Sequence, residues 1–165
     1  MLTVSLLVCA MMALTRANGE EDTSINGTVT NDTNIDVLNA RNGCPPGWEP
    51  FDGRCFKLVT SRLTWAKAEK NCQAFGGNLA STRNSEDYNF IQQMTTELTW
   101  IGGSACQETN AWFWSDGTPM DKPLWCAGQP DGALAQCCLQ INTGDGKCWD
   151  DQPCRNLLPS VCIKK

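Results

Sequence analysis

The sequence predicts an α+β fold in a small domain that is stabilised by disulfides. Two segments, 64–75 and 85–95, repeat apolar residues at helical spacing, and the segments that follow them are short and strand-like. Ten of the eleven cysteines come after residue 17. An even number of cysteines in an oxidising compartment predicts five disulfides, although spacing alone leaves their pairing open.

The first strand is predicted where a stretch rich in Gly and Pro, residues 43–47, gives way to apolar residues. These apolar residues continue as far as Leu58, at a spacing that is typical of a strand. We expect a local bridge between Cys44 and Cys55 to close this strand.

Residues 64–75 are predicted to form the first helix. Four of its side chains fall on one face, which we expect to be buried: Trp65, Ala68, Cys72 and Phe75. Lys67 and Lys70 project elsewhere. The pair Gly76-Gly77 then predicts the end of the helix, because Gly is a common helix terminator.

A second helix is predicted from about Ser85 to Thr95. Either Asn84 or Ser85 can cap it, and the acidic residues of its first turn suit the positive end of the helix dipole. The following apolar side chains form its inward stripe, for which we expect a role in the core: Tyr88, Ile91 and Met94.

Short strands are predicted in the second half of the chain, where the helical pattern stops. Four segments carry β-branched, aromatic or alternating residues: 99–103, 111–115, 138–141 and 160–163. Asp116-Gly117 predicts a turn. All seven Trp lie beyond residue 43, and we expect most of them to be structural.

The first 42 residues are predicted to lie outside the folded domain, which spans residues 43–165. An apolar run at 2–14, followed by Thr15-Arg16-Ala17, predicts a signal peptide over residues 1–17, since the run is shorter than the roughly 20 residues of a membrane anchor. Residues 18–42 are predicted to be a disordered tail or a propeptide. Asn26 and Asn31 begin N-glycosylation motifs there. The protein is therefore expected to be secreted and extracellular.

Composition argues against several classes of function. The net charge is −5 with no basic stripe, so neither nucleic acid nor an anionic membrane is an expected partner. The chain has no His and no C-x-x-C pair, which argues against zinc and against a catalytic Ser-His or Cys-His couple. Asp150 and Asp151 are neighbours on an extended segment and should point to opposite faces, unlike a glycosidase pair. We expect no enzymatic activity.

A set of motifs across residues 43–165 resembles the C-type lectin-like domain. The motifs lie in five places: Cys44 with Cys55, residues 64–72 (T-W-A-K-A-E-K-N-C), 77–81 (G-N-L-A-S), 100–103 (W-I-G-G), and the closing residues Cys138, Trp149, Cys154 and Cys162. The resemblance implies two helices with short antiparallel strands and a long loop. It also implies the pairs Cys44–Cys55, Cys72–Cys162 and Cys138–Cys154.

Four further cysteines are similar to the additional cysteines of the type II antifreeze family of fish. They are Cys106, Cys126, Cys137 and Cys148. The same resemblance extends to residues 100–106 and 114–120, and it implies the pairs Cys106–Cys137 and Cys126–Cys148. It further implies a monomeric protein outside the cell that adsorbs to ice, without turnover.

The long loop contains candidate calcium ligands at positions that correspond to those of C-type lectins. They are Gln129, Asp131, Gln136, Asp150 and Asp151, whose oxygens are of the kind that calcium prefers. Gln136 is neutral where the family has Glu, however, and the loop before Cys138 is one residue short. We therefore favour calcium independence and keep calcium as a candidate cofactor. The alternative function is calcium-dependent carbohydrate binding.

Two candidate surfaces could contact ice, which calls for rigid, uncharged patches of small apolar and hydroxyl groups. The first lies in the long loop: Ala127, Gly128, Ala133, Leu134 and Thr143. The second combines Thr95, Thr96, Leu98 and Thr118.

Overall fold

An eight-stranded sheet and two helices make up the part of the chain that the computed structural model describes, residues 43–165. The strands are β1 Glu49–Phe51, β2 Arg54–Leu63, β3 Asn78–Leu79, β4 Thr99–Ser104, β5 Phe113–Trp114, β6 Cys138–Thr143, β7 Cys148–Gln152 and β8 Leu158–Lys164; the helices are α1 Trp65–Ala74 and α2 Ser85–Met94. The α+β prediction is confirmed. The predicted signal peptide, the tail, Asn26 and Asn31 lie outside the described residues.

The last strand of the chain occupies the centre of the sheet. The strand order is β1-β2-β8-β4-β6-β7, with β3 paired to β8 and β5 paired to β4. Strand β8 runs antiparallel to β2 and parallel to β4. The pairing of Cys55 with Lys164 brings the two ends of the described chain together. The other edge of the sheet, formed by β6 and β7, carries the long loop between β5 and β6.

The helix boundaries follow from their caps. The Asn84 side chain accepts a hydrogen bond from the Asp87 N–H at 2.9 Å, so Asn84 is the cap of α2. Helix α1 ends at Ala74 with Phe75 as its C-cap, and Gly76 follows with a left-handed φ of 79°. Phe75 was expected on the buried face, but it is 40% exposed, because at the C-cap it has left the helical repeat.

Five disulfides connect these elements: Cys44–Cys55, Cys72–Cys162, Cys106–Cys137, Cys126–Cys148 and Cys138–Cys154. They are the same five pairs that the two resemblances imply. The bridge from Cys72 to Cys162 joins α1 to the central strand, where both residues are fully buried. None of the helices within residues 43–165 is long and apolar enough to cross a lipid bilayer.

Strand β7 and the hairpin of β1 and β2 were not predicted as such. The β7 sequence, C-W-D-D-Q, has no β-branched residue, so its local propensity for a strand is low. Its hydrogen-bonded pairing with β6 stabilises it as a strand. Conversely, only two residues of the predicted strand 111–115 pair with β4. Pairing with a neighbouring strand, rather than local propensity, decides both outcomes.

Most of the tryptophans are structural, as the sequence predicts. The Trp149 ring is fully buried and meets Tyr88, Trp114 and Trp125 at centroid distances of 6.1, 5.4 and 5.6 Å, each nearly edge to face. This cluster joins α2, β5 and the long loop through one side chain of β7. The base of the loop is thereby part of the hydrophobic core.

The start of α2 contains a buried charge network centred on Asp87. Asp87 is fully buried and is ion-paired with Arg54, which is 7% exposed, and with Arg83. Burial raises the pKa of Asp87, but hydrogen bonds from Arg83 and the charge of Arg54 outweigh it, so the pKa lies below its ordinary value. The carboxylate is therefore charged in the folded protein at neutral pH.

We expect Asp87→Asn to lower the free energy of unfolding at pH 7 by about 3 kcal/mol or more, because it leaves the buried Arg54 without its counter-ion. Glu86→Gln is the matched control. Glu86 is exposed in the same helical turn, and its loss should cost less than about 1 kcal/mol. Urea denaturation of the three proteins measures both values.

The acid response provides a second check on Asp87. The pKa of Asp87 is lower in the folded protein than in the unfolded protein. The stabilisation that Asp87 provides is therefore fully present above the unfolded pKa of about 3.9, and it is lost as the pH falls through the lower, folded value. The difference in stability between wild type and Asp87→Asn should therefore shrink below about pH 4. A difference that stays constant from pH 7 to pH 2 would contradict this assignment.

Candidate functional site

The long loop is anchored along strand β7. The Trp149 N–H donates to the carbonyl of Leu124, and the Cys126 N–H donates to the carbonyl of Trp149, both at 2.9 Å. These bonds form a parallel bridge between Trp125 and Trp149, next to the disulfide Cys126–Cys148. The first part of the loop therefore behaves as an additional short strand at the edge of the sheet.

The second part of the loop is anchored by the side chain of Asp151. Its carboxylate, 1% exposed, accepts hydrogen bonds from the backbone N–H of Asp131 at 3.0 Å and of Gly132 at 2.9 Å. Each of the two oxygens receives one N–H, which is a strong charge-assisted arrangement. Asp151 is therefore committed to the backbone of the loop.

The turn above Asp151 is tightly packed. Gly132 precedes a short 3₁₀ helix, Ala133–Ala135, and a Cβ placed at position 132 would lie only 2.2 Å from the Cβ of Gln136. Only glycine fits there. Ala133 has a left-handed φ of 46°, a conformation that costs a non-glycine residue roughly 1–2 kcal/mol. The anchoring at Asp151 helps to hold this unfavourable turn in place.

Asp150 faces a different set of partners from Asp151. It is buried and accepts hydrogen bonds from Gln152 at 3.0 Å, from Gln140 at 3.1 Å and from the Thr143 hydroxyl at 3.4 Å. The two carboxylates thus serve separate networks, as the alternation of side chains along an extended segment predicts.

The five candidate calcium ligands do not converge in this arrangement. Asp151 uses both oxygens on backbone N–H groups, and Asp150 is occupied by amides and a hydroxyl. Within residues 43–165, no three Asp or Glu carboxylates lie close enough together to share an ion; the one group of ligand atoms that close consists of the four sulfurs of the disulfides Cys106–Cys137 and Cys138–Cys154. Gln129 differs from the others, because its Oε1 is buried without a hydrogen-bond partner. As a set, these residues do not fit a calcium ion without rearrangement.

The first candidate ice surface remains largely exposed. Ala127, Gly128 and Ala133 are exposed, and the Leu134 side chain is 55% exposed. Thr143 is half-buried, and its hydroxyl is engaged by Gln140 and Asp150. Four of the five residues are therefore accessible, and Thr143 contributes to the support beneath the loop.

The second candidate surface is not a single patch. Thr95 is buried and its hydroxyl lies 3.2 Å from that of Thr99, so including Thr95 in a contact surface is wrong. The Thr118 hydroxyl donates to Asp116, which also bonds Ser81, in a different part of the fold. The reason is that Thr95 closes α2 whereas Thr118 follows the β5 turn.

Thr96 and Leu98 remain exposed, but they flank a charged residue. Glu97, exposed between them, forms an ion pair with Arg62 at 2.5 Å. Strongly hydrated charges of this kind oppose adsorption to an uncharged, ordered water layer.

Asp151 was kept as a candidate calcium ligand, and the structure shows it as an anchor for two N–H groups. One residue of the exposed turn was missed from the sequence. Ala135 was left out of the first surface although it is exposed in the same turn as Ala133 and Leu134. The string G-A-L-A at 132–135, one glycine and three apolar residues, was the signal that could have identified the turn.

Comparisons with known proteins agree in family and fold. Residues 61–164 match the family described as the lectin C-type domain. The type-2 ice-structuring protein of Hemitripterus americanus is 49% identical over 162 residues, which cover 98% of both chains.

Two solved structures share the fold of the described domain. One is described as a calcium-dependent type II antifreeze protein in its calcium-free form; it is 46% identical, with a TM-score of 0.71 over 74% of this chain and 100% of that one. The other is described as a calcium-independent type II antifreeze protein; it is 43% identical, with a TM-score of 0.71 over 73% of this chain and 93% of that one.

We expect Asp151→Asn to loosen the second part of the loop. The Asn side chain has one oxygen and one NH₂ group, so it can accept a hydrogen bond at only one of its two ends. The free energy of unfolding should fall by about 2 kcal/mol, and hydrogen exchange at the Asp131 and Gly132 amides should accelerate at least about tenfold. Asp150→Asn is the control. Equal acceleration at these two amides in both variants would contradict the anchoring role of Asp151.

Proposed function

This chain belongs to the C-type lectin domain family and, within it, to the type-2 ice-structuring proteins, and from that membership we propose that it adsorbs to ice and inhibits crystal growth. The relatives of this family are described as ice-structuring proteins or as lectins, and neither description implies catalysis. The adsorption is noncovalent. We propose that the protein acts as a secreted monomer.

The turn 133–135 is the observation that carries the assignment of the ice-contacting surface. Its three side chains, Ala133, Leu134 and Ala135, are small or apolar and all exposed. When such a surface adsorbs to ice, water is released from its apolar area. Ordered water molecules of the ice can then form hydrogen bonds with polar groups of the protein beside that area. Asp131, exposed just before the turn, marks the charged edge of this surface.

The support beneath the turn makes the surface rigid. The Asp151 carboxylate holds Asp131 and Gly132, and the Cys106–Cys137 bridge closes the loop directly after the turn. A surface that is already ordered loses less conformational entropy when it adsorbs. This rigidity favours the loop over the segment 96–98, where Glu97 also introduces charge.

We propose that adsorption does not require calcium. The fold is shared by a solved relative described as calcium-dependent and by one described as calcium-independent. The fold therefore does not distinguish the two cases, and the proposal depends on the contacts within this chain. An ion at the loop would have to displace the two N–H groups that Asp151 already binds, and Gln136 adds no charge to attract it. The same contacts argue against calcium-dependent carbohydrate binding, which remains the alternative that the experiments below can detect.

We expect Leu134→Lys to reduce thermal hysteresis so that roughly ten times more protein is needed for a given effect, because it puts a hydrated charge at the centre of the contact. Thr96→Lys, at a comparably exposed position outside the turn, should leave hysteresis close to wild type. Near-ultraviolet circular dichroism checks that both variants are folded. The reverse ranking of the two variants would move the ice surface to residues 96–98, and no hysteresis in wild type would overturn the proposed function.

Calcium removal tests the metal proposal separately. We expect the hysteresis and the ice-crystal shape to be unchanged when excess chelator replaces calcium, since the loop is anchored by Asp151 and two disulfides. Activity that disappears with chelator would return calcium to the loop. Retention on immobilised galactose or mannose, with release by chelator, would favour the carbohydrate alternative.

A further inference from the structure

A cavity rich in positive charge lies beside strands β2, β3 and β8, away from the turn 133–135. Its volume is about 470 Å³, which is within the range of small-molecule sites. Four cationic side chains and one carboxylate are among the residues that line it: Arg54, Arg83, Lys164, Lys165 and Asp116. Such an excess of positive charge is unusual in a chain whose net charge is −5. We refer to this feature as the basic cavity.

Arg54, at the start of β2, has a hydrogen-bond donor that the protein does not use. The Arg54 side chain is 7% exposed, and its Nη2 forms the ion pair with Asp87. Its Nε is buried and has no hydrogen-bond partner within residues 43–165. Because buried donors in proteins are almost always paired, an unpaired one at the wall of a cavity indicates a ligand.

The orientation of the Arg54 guanidinium is fixed before any ligand binds. Asp87 holds one side of it, and its central carbon lies 5.2 Å from the centroid of the Phe56 ring. Both Asp87 and Phe56 are fully buried. Asp87 is shared with Arg83, whose second partner, Asp52, is exposed. A guanidinium held in this way loses little conformational entropy when it binds a ligand.

The ammonium group of Lys164 is held near a second part of the cavity wall. Its Nζ donates to the carbonyl of Phe75 at 3.3 Å and lies 4.1 Å from the centroid of the Trp48 ring. The two residues that follow Phe75, Gly76 and Gly77, line the same cavity. Neither the carbonyl nor the ring carries a formal charge, so the positive charge of Lys164 still attracts an anion.

The carboxylate of Asp116 is already bonded to neutral donors. It accepts hydrogen bonds from the Ser81 hydroxyl at 2.5 Å, from the Thr118 hydroxyl at 2.7 Å and from the Thr118 N–H at 3.0 Å. These three donors leave Asp116 little capacity to bind a cation. Its charge repels an anion, so we expect a ligand on the Arg54 side of the basic cavity.

We propose that the basic cavity binds a tetrahedral oxyanion, phosphate or sulfate, with the Arg54 guanidinium as its main contact and Lys164 as a second charge. The planar fork of arginine matches the oxygens of such anions, and the hydrogen bonds are strong because both partners are charged. The binding is noncovalent. None of residues 133–135 lines the basic cavity, so this site is separate from the proposed ice surface.

The test is a titration of the ¹⁵N-labelled protein with inorganic phosphate at constant ionic strength, followed by NMR through the Nε–H signal of Arg54. We expect a saturable shift that fits one site per chain, and a saturable shift with inorganic sulfate as well. Sodium chloride should not produce it, because chloride has no pair of oxygens to match the arginine fork. No shift with either oxyanion, or the same shift with chloride, overturns the proposal.

Three variants make the assignment specific, with phosphate affinity measured by calorimetry. Arg54→Lys keeps a positive charge for Asp87 but lacks Nε and the planar fork, so it should weaken binding at least about tenfold. Lys164→Gln should weaken binding about threefold. Lys122→Gln removes the same charge at an exposed position outside the cavity lining, and it should bind phosphate as wild type does.

Two results with these variants would contradict the proposal. One is an unchanged affinity in Arg54→Lys, and the other is an equal loss in Lys164→Gln and Lys122→Gln, which would indicate general charge screening. Near-ultraviolet circular dichroism checks that each variant is folded, and Lys164→Gln decides the question if Arg54→Lys does not fold. The measurements are made without ice, so their outcome is independent of the proposed function.

Discussion

The attachment of the long loop to strand β7 is the constraint on which the rest of this structure depends. One strand provides three kinds of anchor: the backbone of Trp149, the carboxylate of Asp151 and the disulfide of Cys148. Because the Trp149 ring also packs among the core aromatics, the loop is tied to the helix side of the fold. A loop this rich in Gly and Pro would otherwise lose most of its order to conformational entropy.

The same anchors determine what the loop can present to a partner. Turning Asp151 inward to two N–H groups removes a charge from the surface and leaves an apolar turn above it. With its carboxylate turned outward, this edge of the sheet would suit hydroxyl ligands or a hard cation. With the carboxylate turned inward, the edge presents a rigid patch with little hydrated charge. Rigidity and low charge are the properties that adsorption to ordered water requires, and Asp151 contributes to both, alongside the disulfides that brace the loop.

Much of the fold follows from local sequence patterns. The helix α2 was predicted to within one residue, because Asn84 caps it and Tyr88 and Ile91 recur at helical spacing. Strand β7 and the role of Asp151 were not predictable in the same way. Strand β7 depends on its register with β6, and Asp151 binds backbone N–H groups 20 and 19 residues earlier in the chain; local propensity contains no information about such partners.

The sequence by itself determined the α+β class, the two helices and, through its cysteine pattern and family motifs, the set of bridges. The fold class and the helices depend on spacing and residue type, which are visible along the chain, whereas the pairing of the cysteines follows only from the resemblance to known families. Only the tertiary structure decided which side chains are accessible to a partner. It buried Thr95, committed both oxygens of Asp151 to N–H donors and left Leu134 exposed. It also placed two disulfides in sulfur contact. Burial and hydrogen-bond partnership arise from contacts between distant segments, so they appear only when the chain has folded.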